Sequence, residues 1–255
     1  MSECDTIRLH AEGRTAWVTL DRPPLNILDI SMMTSLARVL TPLTAECDFI
    51  VFRGAGPKAF CAGAEVRDHT PERVAGMLAA FHEVFRLLGR ADCLTIAAVH
   101  GHCLGGGMEL AAFCDFVLAT ASASFGQPEI KLGCFPPVAL VTLPALVGLR
   151  AALDLILTGR TVCAREAREL GLVTRVVADD ALAQSVDALL AELHGLSPVV
   201  LRLSRRALRR NRHAEFEAEL EAVERFYLDE LMKTEDAQEG IHAFLEKRAP
   251  AWRGR

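Results

Sequence analysis

The sequence predicts an α/β fold with a mostly parallel sheet, followed by a helical C-terminal part. Three observations carry this. Short apolar runs alternate with helix-period segments between residues 50 and 120, the pattern of strands in one sheet with helices laid over them. From residue 145 onward the pattern is predominantly helical. The chain has 255 residues, of which 51% are hydrophobic and 24% charged, enough for one large core with a small appendage.

Taken in order, residues 7–10 and 16–20 read as two strands around the turn Glu12-Gly13-Arg14, ended by Asp21-Arg22-Pro23-Pro24. Residues 30–43 have helical spacing, with Met33, Leu36 and Leu40 on one side. The apolar run 49–52 suits a buried parallel strand, and 53–58 is a loop. A helix is expected over 71–88, with Pro71 in its first turn. Residues 95–99 form a strand that leads into glycines, 108–113 a buried helix, and 116–119 and 124–126 two further strands. Helices follow at 150–158 and 164–170, the latter stopped by Gly171, then an extended run over 172–177 and a helix over 181–193. Ser197-Pro198 opens the last region, with a basic helix at 199–212, an acidic one at 215–231 and a final one at 234–246. This divides the chain into a core of residues 1–195 and a helical region of residues 196–255. Phe216, Leu220, Val223 and Phe226 recur at helical spacing and must bury against the chain's own core or against another subunit; the pattern leaves both open.

Composition excludes several classes. A net charge of −5 argues against broad nucleic-acid binding, although it allows a local basic pocket for a phosphorylated small molecule. Residues 1–10 carry Glu3, Cys4 and Asp5 and do not read as a signal peptide. The longest apolar stretches, such as 95–99 and 138–149, fall short of the ~20 residues that span a bilayer. The eight cysteines show no Cys-x-x-Cys pair and read as reduced, buried thiols of a cytoplasm-like compartment.

Two segments read alike as physics: Ala59-Phe60-Cys61-Ala62-Gly63-Ala64-Glu65, and Gly101-His102-Cys103-Leu104-Gly105-Gly106-Gly107-Met108-Glu109-Leu110. Each follows a strand-like run and places small residues where the chain turns. Two such turns can aim two backbone N–H groups at one point, as an enzyme needs to hold a developing oxyanion. The glycines also admit a simpler reading as helix–sheet packing. They form neither a dinucleotide fingerprint nor a P-loop. Glu109 lies among apolar neighbours, as does Glu129 in Phe125-Gly126-Gln127-Pro128-Glu129. Two carboxylates converging in a dry cleft divide acid and base duties, whereas either alone could be a helix cap or ion pair. His100, His102 and Cys103 lack a further ligand at zinc spacing, so no metal site is assigned. The arginines at 202, 205, 206, 209, 210 and 212 read as a solvated face, or one facing the acidic stretch 215–224.

In combination these segments, with Cys114-Asp115, Thr158-Gly159-Arg160 and the run Glu239-Gly240-Ile241-His242-Ala243-Phe244-Leu245-Glu246-Lys247-Arg248, resemble the enoyl-CoA hydratase/isomerase (crotonase) superfamily over essentially the whole chain. The resemblance implies a crotonase (ClpP-like) spiral of β-β-α units with a C-terminal helical trimerisation region. It implies an acyl-CoA thioester substrate, a homotrimer or dimer of trimers, and neither metal nor separate cofactor, because CoA is part of the substrate. No nucleic acid or membrane partner is expected, and the location expected is cytoplasmic. On the resemblance, Ala64 and Gly106 supply the oxyanion N–H groups, and Cys61, Ala62, Ala64, Glu65 and Val66 lie along CoA. Glu109 matches the carboxylate that activates water and Glu129 the one that exchanges a proton with the α-carbon. Retaining both points to hydration of a double bond conjugated to the thioester.

The chain departs from simple enoyl-CoA hydratases where Pro136, Pro137 and branched residues replace flexible glycines, stiffening the expected acyl end formed by Cys134, Phe135, Pro136 and Pro137. Here, and around Pro23-Pro24-Leu25-Asn26, it resembles the hydratases of cyclohexa-1,5-diene-1-carbonyl-CoA that serve anaerobic benzoyl-CoA degradation. The alternatives are a general or short-chain enoyl-CoA hydratase, an isomerase or acyl-CoA hydrolase, and a non-enzymatic RNA-binding relative.

Overall fold

A computed structural model describes residues 6–210 and 212–255, without the side chains of 212–214. Strands β1 (Ile7–Glu12) and β2 (Thr15–Leu20) form an antiparallel hairpin that turns at Gly13, where φ is +57°. Helix α1 (Ile30–Glu46) starts at Asp29, whose carboxylate accepts the Met32 N–H at 2.8 Å, and buries Met32, Met33, Leu36, Leu40 and Leu43 along one stripe.

Three strand pairs then alternate between two sheets. The first strands, β3 (Phe49–Gly54), β5 (Leu94–Val99) and β7 (Phe116–Thr120), lie parallel in the large sheet. Their partners β4 (Ala59–Cys61), β6 (His102–Leu104) and β8 (Ser124–Gly126) lie parallel in a small second sheet. Helix α2 (Val74–Arg90) follows the first pair and α3 (Gly106–Phe113) the second, giving the successive β-β-α units of a crotonase-type fold. After α4 (Pro137–Val147) and α5 (Leu149–Thr158), strand β9 (Thr161–Cys163) closes the small sheet antiparallel to β8. Beyond α6 (Ala164–Glu169), strand β10 (Arg175–Val177) adds to the edge of the large sheet, which runs β1-β2-β3-β5-β7-β10. Helices α7 (Leu182–His194), α8 (Pro198–Arg209), α9 (Arg212–Asp229) and α10 (Glu235–Leu245) complete the chain.

The period-2 alternation of a strand explains why the central runs are apolar throughout. Ile50, Phe52, Ala97 and Val99 face the main core, while Phe49, Val51, Leu94 and Ile96 face a second layer formed with Val186, Leu189, Leu190 and Leu193 of α7.

Four expectations need correction. Helix α2 starts at Val74, so Pro71 lies outside it. Residues Val66–His69 form a short 3-10 turn in which Asp68 takes the Ile30 N–H at 3.0 Å, and Thr70 is extended, as a residue before proline prefers. Residues 137–147, expected only as a stiff path, form α4. Among the described residues, four arginines of the basic helix α8 pair with aspartates of the core, which the charge pattern did not predict. Arg202 pairs with Asp48 at 2.6 Å, Arg206 with Asp92 at 2.6 Å, and Arg205 and Arg209 both grip Asp115 at 2.8 Å. Arg205 is buried and also donates to the Ala91 and Leu88 carbonyls. Of the cysteines, Cys163 is exposed, whereas Cys47, Cys61, Cys93, Cys103, Cys114 and Cys134 are buried; Cys4 and the Arg212 side chain lie outside the described residues.

Phe216 and Leu220 of α9 bury within the chain, Phe216 against Phe113 at 5.0 Å between ring centroids, while Phe226 stays exposed. Glu224 of α9 accepts from His82 at 2.8 Å and Arg86 at 3.2 Å, tying the C-terminal region to α2.

Candidate active site

The two small-residue turns meet. Leu28 bridges the first in parallel register: its N–H donates to the Gly63 carbonyl at 2.9 Å and its carbonyl accepts from Glu65 N at 2.8 Å. Ala64 sits between these bonds and its own N–H makes neither, so it points to the opposite side. There it finds Gly106, the first residue of α3, whose N–H has no partner within its helix. A Cβ placed on Gly106 would stand 3.6 Å from Ala64 N, and one placed on Gly63 3.8 Å from Gly106 N. Two backbone donors, one on a helix N-terminus with its positive dipole end, therefore lie side by side.

A buried Asn26 holds the first turn from behind. Its Nδ2 donates to the carbonyls of Ala55 and Ala59 at 2.9 Å and Phe60 at 3.2 Å, and its Oδ1 accepts from Arg22 N at 3.1 Å. Its φ of +53° is one that asparagine tolerates better than most residues. Among the residues expected along CoA, Ala62, Ala64, Glu65 and Val66 are half-buried. Cys61 is fully buried, and burial pushes its thiol up to about 12.

Glu109 lies in the first turn of α3, 3% exposed, with Oε1 accepting from Ala139 N at 2.7 Å. Ala139 belongs to the first turn of α4, where N–H groups are unpaired and Pro137 at the start loses no bond. The Pro136-Pro137 stretch thus has a function beyond stiffness: it starts a helix whose free N–H groups hold Glu109. Burial pushes the Glu109 carboxyl up to about 7, and the Ala139 and Val138 N–H groups pull it partly back.

Glu129 sits on a 3-10 turn, Pro128–Leu132, ended by left-handed Gly133. Its carboxylate packs against Gly105, and its Oε2 is buried without a hydrogen-bond partner. Burial, then the charge of Glu109, pushes it well above the carboxylate range. Two carboxyls in one dry neighbourhood, both pushed up from their ordinary range, can divide the duties of base and acid.

At the expected acyl end, Cys134, Pro136 and Pro137 are buried and Phe135 is half-buried. Phe135 stacks on Phe226 at 5.9 Å between centroids and meets the edge of Tyr227 at 4.9 Å. Sequence reasoning missed Asn26, Ala139 and Tyr227. Only Asn26 left a signal, a polar residue inside the apolar run that follows Pro23-Pro24. Away from the cleft, His100 donates to the Gly56 carbonyl and His102 pairs with the Ser124 hydroxyl, and among the described residues no three His, Cys, Asp or Glu side chains cluster for a metal. Among the same residues, no helix is long and apolar enough to cross a membrane.

Comparison with known proteins supplies the context. The family model described as enoyl-CoA hydratase/isomerase matches residues 11–255. A cyclohexa-1,5-dienecarbonyl-CoA hydratase of Thauera aromatica is 36% identical over the whole length of both chains. A short-chain-enoyl-CoA hydratase of Clostridium acetobutylicum is 34% identical, covering 96% of this chain and 97% of that one. Among solved structures, a carnitinyl-CoA hydratase from Mycobacterium avium superposes with a TM-score of 0.88 at 33% identity, covering 99% of this chain and all of the other.

Proposed function

The chain belongs to the enoyl-CoA hydratase/isomerase family, whose general chemistry is hydro-lyase action on acyl-CoA thioesters, and from that premise we propose how this site works and on what. The thioester carbonyl oxygen is held by the N–H groups of Ala64 and Gly106. Glu109 takes a proton from water as that water attacks the β-carbon. Negative charge gathers on the thioester oxygen, and Glu129 delivers its proton to the α-carbon. The observation that carries this reading is the convergence of two carboxyls on the start of one helix: Glu109 with Oε1 on the Ala139 N–H, and Glu129 against Gly105 with Oε2 buried, both pushed up by burial. Each preorganised donor at such an oxyanion contributes roughly 10²–10³ in kcat.

The substrate is a cyclic dienoyl-CoA, hydrated as a cyclohexa-1,5-diene-1-carbonyl thioester in anaerobic aromatic degradation. Support comes from the full-length relative of that activity and from the Pro136-Pro137 start of α4, which fixes the wall of the acyl end. A second reading, a short-chain enoyl-CoA hydratase, draws on the Clostridium relative. The assembly is a homotrimer or dimer of trimers built around residues 196–255; the exposed Val199, Val200 and Leu203 of α8 and Phe244 of α10 are apolar surface that such packing would cover.

The test is a substrate panel of crotonyl-CoA, a longer enoyl-CoA and the cyclic dienoyl-CoA, compared by kcat/KM. The cyclic thioester is expected to lead. A preference for crotonyl-CoA of more than about tenfold, ~1.4 kcal/mol, overturns the cyclic assignment and leaves the short-chain one.

A further inference from the structure

The mechanism above leaves the buried hydroxyl of Tyr227 unused. Tyr227 lies on α9, which packs against α2 and α4, and it is 1% exposed. Its ring is fixed edge-on against Phe135, with an interplanar angle of 76°, while the neighbouring Phe226 stacks on that same ring. Its hydroxyl is buried and has no hydrogen-bond partner; the Cys134 thiol beside it does not meet hydrogen-bond geometry and instead faces the Leu132 carbonyl at 3.6 Å. Cys134 follows directly from the Glu129 turn, with Cys134 N donating to the Glu129 carbonyl at 3.1 Å.

Tyr227 and Glu129 thus flank the Cys134-Phe135 stretch, one against its side chains and the other on its backbone, and the Tyr227 hydroxyl and Glu129 Oε2 are both buried without a partner. Each is expensive to bury unpaired. The phenol is pushed well above its ordinary value, first by burial and then by Cys134, Glu129 and Glu109, so it stays protonated and keeps an O–H to donate.

We infer that Tyr227 is a positioning residue for Glu129, its hydroxyl donating to the carboxylate that Glu129 becomes once its proton has moved to the substrate. The donor matters little to the neutral acid and much to the anion, so it favours the charge that develops during the reaction. It also makes α9 part of the catalytic apparatus. The kinetic part of this inference rests on the acid role proposed for Glu129; the electrostatic part does not.

Tyr227→Phe keeps the ring and removes the donor. The first readout needs no substrate: a 13C NMR titration of the Glu129 carboxyl, assigned with Glu129→Gln. The midpoint is expected to rise in Tyr227→Phe, with the thermal midpoint of unfolding kept. An unmoved Glu129 midpoint overturns the inference. The second readout is a double-mutant cycle of Tyr227→Phe with Glu129→Gln on kcat. We expect kcat to fall about tenfold in Tyr227→Phe at nearly constant KM, and the loss to vanish when Glu129 is already Gln. Equal losses in both backgrounds overturn the inference, as they mark a structural role. If the parent hydrates none of the thioesters, the hydration reading fails and the NMR titration alone decides the role of Tyr227.

Discussion

Replacing Gly105 by alanine strikes the point where the second turn, the helix start and Glu129 converge. Gly105 has φ +51° and ψ −129°, a conformation that a Cβ disfavours. Holding a side chain there costs about 1–3 kcal/mol. The new Cβ would also stand 2.5 Å from Glu129 Oε1 where ordinary contact begins near 3.4 Å, so the carboxylate must retreat by about 0.9 Å. The backbone term alone, taken as ~2 kcal/mol, lowers the melting temperature by about 4–8 °C for a chain of this size. A displacement near 1 Å of a proton-transfer group costs on the order of 10²-fold in rate. The assay is loss of the conjugated enoyl chromophore of the best thioester substrate at saturation, beside a thermal melt. A Gly105→Ala variant with kcat within twofold of the parent and an unchanged melt would refute the placement of Glu129 against this turn.

Two further perturbations test the electrostatics and the docking of the C-terminal region. Because the folded Glu109 carboxyl is raised to about 7 from an ordinary 4.5, its contribution to stability is fully present below about pH 4.5 and is lost as pH rises through about 7. Glu109→Gln should flatten that stretch of the stability profile and exceed the parent at pH 8 by on the order of 2 kcal/mol; urea unfolding at several pH values measures it, and parallel profiles would contradict it. Arg205→Ala strips the Asp115 carboxylate and two buried carbonyls of a shared donor, and should destabilise by about 3–5 kcal/mol in urea unfolding, with Arg205→Lys failing to restore it because one ammonium nitrogen lacks the planar spread by which Nε, Nη1 and Nη2 reach three separate acceptors.

Much of the core was legible because strand and helix periods are local properties. The buried runs 49–52 and 95–99, the stripe of α1 and the glycine turns all follow from neighbours a few residues apart. Glu109 and Glu129 stood out because a carboxylate among apolar residues needs a reason. Helix α4 was hidden because Pro137 to Val147 is apolar all round, carries Pro144 inside, and so shows no helical stripe; it is apolar because it packs between α3, α5 and α9. The partners of the basic helix were illegible for another reason. Arg205 meets Asp115 across 90 residues and His82 meets Glu224 across 142, and charge spacing within one helix says nothing about an aspartate on a distant strand end. Tyr227 combines both difficulties, sitting one position from an exposed phenylalanine on a helix whose register against the cleft is set by tertiary packing.

The central claim is that Glu109 and Glu129 share one hydration reaction beneath two backbone donors. It is tested most directly by measuring kcat for Glu109→Gln and Glu129→Gln alongside the dissociation constant of a non-hydrated CoA thioester. The account predicts losses of about 10²–10⁴-fold in kcat for each variant, the range of a general acid or base, with thioester affinity retained. Turnover within tenfold of the parent in both variants would contradict it.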